Sequence, residues 1–163
     1  MAGTKANARV IIVGAGPVGM VCALALNKRG IPVTVFEQEP APVKDQRAAS
    51  IHPPTLELMD EIGITKKIIP RGLVSEKYRY HDRVTNSIVA EFNLAVMRDE
   101  FRFPFVLQYE QYKLTASIAA EYADTADFDV RFAHCVTGSR RRRMESRSKL
   151  SHPRVANDCR GPT

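Results

Sequence analysis

Residues Arg9–Glu37 read RVIIVGAGPVGMVCALALNKRGIPVTVFE, and the order of residue types in that stretch decides the fold. Arg9–Val13 is a short β-branched run, suited to a strand buried on both faces of a parallel sheet. Gly14, Gly16 and Gly19 follow as G-x-G-x-x-G. In a dinucleotide fold the first glycine makes the tight turn, the second lets backbone approach a pyrophosphate, and the third lets the helix pack closely. A helix from about Pro17 would offer unpaired N–H groups and a positive dipole end to that anion. Proline suits the first helical position, where the N–H it lacks has no partner anyway. Lys28 and Arg29 favour the negative C-terminal end, and Gly30 is a natural left-handed stop. Val33–Phe36 predicts a second strand, and Glu37 lies 18 residues after Gly19. That matches the spacing of roughly twenty at which an acid meets the ribose hydroxyls of a dinucleotide. The rival reading takes the 17 uncharged residues Val10–Leu26 as a signal or membrane helix. Spanning a bilayer takes about 20 apolar residues, and the glycines and proline fall where a turn needs them.

The net charge of +6 invites a search for an acidic partner until it is located. Ser139–Thr163 holds eight Lys or Arg against Glu145 and Asp158 alone, while residues 1–138 balance sixteen basic side chains against sixteen acidic. The body is neutral, so any nucleic-acid argument rests on the tail. The tail has four consecutive arginines but no aromatic residue for base stacking, and solvated charge is the favoured reading. Cys22, Cys135 and Cys159 lack metal-ligand spacing, and Cys22 and Cys135 read as buried free thiols in a reducing, cytoplasmic setting. No pair of the four histidines has zinc spacing, so no metal is expected.

Along the rest of the chain, Met1–Ala8 reads as a short polar lead without a cleavage-site pattern. In RAASIHPPTLELMDEIGI, Pro53 and Pro54 bar a helix before them, Thr55 is a candidate cap, and Leu56, Met59 and Ile62 share a face ending at Gly63. Arg47 sits in the loop ahead of Ala48 and Ala49. A loop arginine is usually a solvated charge, but a diphosphate implied nearby makes an anion contact an equal alternative. Lys77–Asp82 and Ser87–Phe92 predict a β-hairpin around Arg83–Asn86, and Phe101–Leu107 an extended piece. Glu110–Tyr122 is helical in pattern, with Gln111 in its first turn facing either solvent or a ligand. Phe128–Val136 alternates as one strand, the third parallel strand of the sheet.

GAGPVGMVCALALNKRGIPVTVFEQ, RAASIHPPTLELMDEIGI, FPFVLQYEQYKLTASIAA and DVRFAHCVTG, in that order, resemble the N-terminal half of the FAD-dependent aromatic-ring monooxygenases related to para-hydroxybenzoate hydroxylase and the phenol hydroxylases. The resemblance covers about residues 8–138 and implies an α/β, Rossmann-type parallel sheet with flanking helices and an inserted hairpin. It implies that Gly14, Gly16 and Gly19 with the backbone of Val18 hold the FAD pyrophosphate and Glu37 the adenosine ribose. Arg47 and Gln111 would face the flavin side, Gln111 being preferred to Gln108 because it heads the LTASI helix. In that family NAD(P)H reduces the flavin, which then activates oxygen for transfer to an aromatic substrate. The family's later Asp-Gly and Gly-Asp segments are missing from these residues. The change of character after Gly138 reads as a frame change or truncation, giving a partial FAD-binding domain over 1–138 and a low-order basic tail over 139–163. Weak FAD binding, no turnover and an exposed apolar edge on the first strand are the consequences. The alternatives are a nicotinamide-binding dehydrogenase domain, a non-catalytic fragment with an RNA-binding tail, and an inert fragment.

Overall fold

The computed structural model describes residues 9–44, 48–123, 125–139 and 154–156. In chain order its elements are β1 (Val10–Val13), α1 (Pro17–Lys28), β2 (Val33–Phe36), β3 (Ser50–Ile51), α2 (Pro53–Glu61), α3 (Thr65–Ile68), β4 (Leu73–Ser75), β5 (Lys77–His81), β6 (Ile88–Asn93), β7 (Val106–Gln108), α4 (Gln111–Tyr122), β8 (Phe128–Arg131), β9 (Cys135–Gly138) and β10 (Arg154–Ala156). The chain divides into two compact units, Met1–Lys44 with Thr115–Thr163, and Asp45–Leu114.

The first unit holds a parallel sheet in the order β1-β2-β8, with Val10 opposite Val33 and Val33 opposite Phe128. All four residues of β2 are buried. The double-sided burial expected of Arg9–Val13 therefore belongs to β2. β1 pairs with β2 alone among the described strands, and Val10, Ile11 and Val13 are exposed, Val13 at 65%. The apolar edge expected on the first strand is there. Arg9 anchors the sheet's start by donating to the Val33 and Ala126 carbonyls at 3.2 and 2.9 Å. Helix α1 ends as its sequence implies: Gly30 takes φ +74°, its N–H donates to the Asn27 carbonyl at 2.8 Å, and the Ile31 N–H donates to that of Leu26 at 3.1 Å. The Lys28 ammonium lies 5.1 Å from the Tyr122 ring centroid.

The expected single strand over Phe128–Val136 is two. β8 stops at Arg131, Ala133 takes φ +56°, and β9 starts at Cys135. Alternation does not register such a break, because an alanine in the left-handed region leaves no mark in a polarity pattern. β9 pairs antiparallel with β10, which lies within the stretch expected as a low-order tail; the remainder of that tail, residues 140–153 and 157–163, lies outside the described residues. Cys22 is exposed rather than buried, and Cys135 is disulfide-bonded rather than a free thiol. Position in a helix or strand did not fix burial or redox state, so the cysteine argument for a reducing compartment loses its support.

The second unit contains an antiparallel sheet in the order β3-β7-β4 and the β5-β6 hairpin. The hairpin falls where the alternation placed it, with Tyr78 opposite Phe92 and Arg79 opposite Glu91. Arg79 and Lys77 both bind the Glu91 carboxylate, at 2.6 and 2.9 Å. The turn is held by Asp82, whose Oδ1 accepts from the N–H groups of Val84 and Thr85 and from the Thr85 hydroxyl. Helix α2 begins at Pro53 with His52 at its N-cap, so Thr55 is inside the first turn and is not the cap. Prolines are tolerated at the first helical positions because their missing N–H groups have no intrahelical acceptor there. Leu56, Met59 and Ile62 are buried together, and the Thr65 hydroxyl donates to the Leu56 carbonyl at 2.7 Å with no exposure at all. Among the described residues no helix is long and apolar enough to cross a membrane.

Candidate cofactor site

The three glycines between β1 and α1 do three different jobs. Gly14 takes φ +101°, a left-handed conformation that a side chain would strain, although nothing lies within 4 Å of where its Cβ would be. Gly19 has an ordinary φ, but a Cβ there would stand 2.0 Å from the Gly14 carbonyl oxygen and 3.4 Å from Ile12 Cγ2. It is the position where helix meets turn too closely for any side chain. Gly16, the N-cap of α1, has φ −67°, ψ 176° and an open space where its Cβ would be. Neither backbone conformation nor internal packing requires glycine at position 16. The open space there is what the close approach of a dinucleotide phosphate to the backbone would need.

The loop is tied to the carboxyl end of β2 at two points. The Gly14 N–H donates to the Phe36 carbonyl at 2.8 Å, and the Ala15 N–H donates to Glu37 Oε2 at 2.7 Å. Glu37 is also fixed elsewhere. Its Oε1 accepts from the Glu39 N–H at 3.0 Å, its own N–H donates to the Arg131 carbonyl at 2.9 Å, and its carbonyl accepts from the His134 N–H at 2.8 Å. The acid expected to face the mouth of the loop does so and is immobilised there. An ionised carboxylate has about four lone-pair positions. Two are taken by backbone donors, which leaves capacity for the two adjacent hydroxyls of a ribose.

Helix α1 starts with Pro17 at its first position, and the Met20 N–H closes the first turn on the Gly16 carbonyl at 2.9 Å. Val18 lies in that turn with its side chain 81% exposed. The first-turn N–H groups of an α-helix lack intrahelical acceptors and carry its positive dipole end, so this is where a diphosphate gains most. Gly14, Gly16, Val18, Gly19 and Glu37 are thus brought together in the first unit, and an open glycine turn beside a fixed carboxylate fits a dinucleotide.

Gln111 belongs to the second unit. It is the first residue of α4, half-buried, with its N–H donating to the Ala48 carbonyl at 3.2 Å. Gln108, the alternative to it, lies in β7 and accepts a hydrogen bond from the Ser50 hydroxyl at 3.0 Å. Arg47 lies outside the described residues. The turn Phe132–His134, which grips Glu37 and Glu39 through the Ala133 and His134 N–H groups, carries no signal in the polarity alternation of Phe128–Val136.

The model of the family described as FAD binding domain matches residues 7–156. The chain belongs to that family. Para-nitrophenol 4-monooxygenase of Pseudomonas sp. (strain WBC-3) is 29% identical over 127 residues, covering 78% of this chain and 31% of the relative. Pentachlorophenol 4-monooxygenase of Sphingobium chlorophenolicum is 30% identical over 109 residues, covering 67% of this chain and 20% of the relative. The crystal structure of p-nitrophenol 4-monooxygenase from Pseudomonas putida DLL-E4 superposes with a TM-score of 0.77 at 27% identity, over 82% of this chain and 34% of that one. The chain spans about a third or less of the length of the relatives it matches. This FAD-binding domain therefore takes FAD as its dinucleotide, and the dehydrogenase alternative is set aside.

Proposed function

We propose that this FAD-binding domain is the cofactor-holding front of a monooxygenase that hydroxylates an aromatic ring. The backbone of Gly14, Gly16, Val18 and Gly19 receives the FAD pyrophosphate, Glu37 the adenosine ribose, and Arg47 and Gln111 the flavin side. Bound FAD, once reduced by NAD(P)H, supplies the oxygen-activating chemistry. The chain's own residues bind and orient the cofactor and hold its ribose hydroxyls at a fixed carboxylate. A cytoplasmic location goes with a reaction that consumes NAD(P)H. The 163 residues alone bind FAD without turnover, and the basic residues after Ser139 act as solvated charge rather than as a nucleic-acid site. Aromatic substrates are what the names of the relatives specify.

The observation that carries this reading is the 2.7 Å link between the Ala15 N–H and Glu37 Oε2, which ties the glycine turn to the carboxylate. Titration of the full chain into FAD, followed by flavin fluorescence with NADH as competitor, tests it. Saturable quenching that excess NADH does not reverse is the expected result. Tight NADH binding with no flavin response would refute it.

A further inference from the structure

The connection from β8 to β9 is built around a strained residue. Ala133 takes φ +56°, a region that costs a non-glycine residue about 1–2 kcal/mol. The strain persists because neighbours over-determine it: the Ala133 N–H donates to the Glu39 carbonyl at 2.9 Å and the His134 N–H to the Glu37 carbonyl at 2.8 Å. The Arg131 carbonyl, before the turn, accepts from the Glu37 N–H at 2.9 Å. The backbone on either side of this turn thus clasps Glu37 at both its N–H and its carbonyl. The residue that this turn sets beside Glu37 is His134.

The imidazole of His134 is half-buried, 6.1 Å from the Phe36 ring at 38°, at the carboxyl end of β2. Its Nδ1 lies 2.7 Å from the Phe132 carbonyl oxygen. A carbonyl can only accept, so Nδ1 carries the proton and Nε2 of the neutral ring is left as an acceptor. The nearby cation is otherwise engaged: Arg131 Nε binds Asp129 at 2.7 Å, and its guanidinium lies 5.7 Å from the Phe36 centroid.

We propose that His134 recognises the adenine of FAD, Nε2 accepting a hydrogen bond from the exocyclic amine. The inference rests on the assignment of Glu37 to the adenosine ribose, because the base is joined to that sugar and His134 is the residue whose backbone N–H is bonded to the Glu37 carbonyl. A purine with an amine at that position donates to Nε2, whereas hypoxanthine presents a carbonyl there and cannot.

The test compares FAD with its deaminated analogue, flavin hypoxanthine dinucleotide, by fluorescence titration of the full chain and of His134→Ala and His134→Phe. The phenylalanine variant keeps a ring against Phe36 while removing both nitrogens. The wild type is expected to prefer FAD by about three- to tenfold, the value of one hydrogen bond, and both variants to bind the two dinucleotides alike. A general loss of folding would weaken both ligands together and leave their ratio unchanged, so a ratio that stays at its wild-type value in either variant overturns the inference. Equal binding of the two ligands by the wild type overturns it as well. Failure of the wild type to bind FAD at all would overturn the FAD-site assignment and this inference with it.

Discussion

Substituting alanine at each of the three glycines should separate backbone strain, packing and ligand approach, since the structure assigns one to each. At Gly19 the new Cβ would lie 2.0 Å from the Gly14 carbonyl oxygen, roughly 1.5 Å inside the shortest ordinary contact of about 3.5 Å. The obstacle is backbone, so the turn and the helix must move apart. Overpacking of this kind costs about 1–3 kcal/mol, offset by the ~1 kcal/mol that alanine gains over glycine within a helix. The net loss, up to about 2 kcal/mol, would lower the urea midpoint by up to about 1 M for a domain of this size. At Gly14 the cost is conformational, about 1–2 kcal/mol, because φ is +101° and no atom obstructs the Cβ. At Gly16 nothing is strained and nothing is touched, so Gly16→Ala should unfold within about 0.5 kcal/mol of the wild type. Its FAD affinity should nevertheless fall about 10- to 100-fold, as one charge-assisted hydrogen bond to the phosphates is lost. Urea unfolding and flavin fluorescence on the same three variants read both quantities. If Gly16→Ala lost as much stability as Gly19→Ala, or bound FAD as the wild type does, the assignment of the open cradle to the pyrophosphate would be wrong.

Glu37→Ala should speed amide hydrogen exchange at Ala15 and Glu39 in the ligand-free chain, since both N–H groups lose their acceptor; unchanged exchange would mean the loop holds its shape without the carboxylate. Hydrogen bonds from the Thr85 N–H and hydroxyl and the Val84 N–H hold the Asp82 carboxyl below the usual aspartate range. A pKa lower in the folded hairpin than in the unfolded chain means that this contribution is complete above the ordinary aspartate value and disappears as pH falls through the depressed one. Exchange at Val84 and Thr85 should therefore lose protection in acid in the wild type but not in Asp82→Asn, where it should be low throughout. Thr65→Val should destabilise the chain by about 1–3 kcal/mol by leaving the buried Leu56 carbonyl without its donor, and Thr65→Ser should recover most of that in chemical denaturation. Val13→Lys, at the open edge of β1, should reduce concentration-dependent association in sedimentation experiments; identical sedimentation would show that the edge does not template pairing.

What could be read from the amino-acid sequence was whatever a single residue type can encode locally. Proline at position 17, glycine at 30 and the acid 18 residues past Gly19 each restrict the backbone or the chemistry by themselves, and each sits where its constraint implied. The hairpin was legible for the same reason, its period-2 alternation belonging to a pair of strands adjacent in sequence. Burial was not legible: β1 is VIIV and β2 is VTVF, the one with a polar residue, yet β1 is largely exposed and β2 wholly buried. Only the strand order distinguishes them, and strand order is a property of contacts distant in sequence. The break at Ala133 was hidden for a deeper reason. Left-handed backbone is signalled in sequence by glycine or asparagine, and alanine is held there by hydrogen bonds to the carbonyls of Glu37 and Glu39, almost a hundred residues earlier. A conformation that a residue would not choose for itself, imposed by partners that include the proposed ribose acceptor Glu37, is the kind of feature in which function and local preference part company. It is also why the imidazole next to it, unremarked in a chain with four scattered histidines, becomes the residue on which cofactor selectivity can be tested.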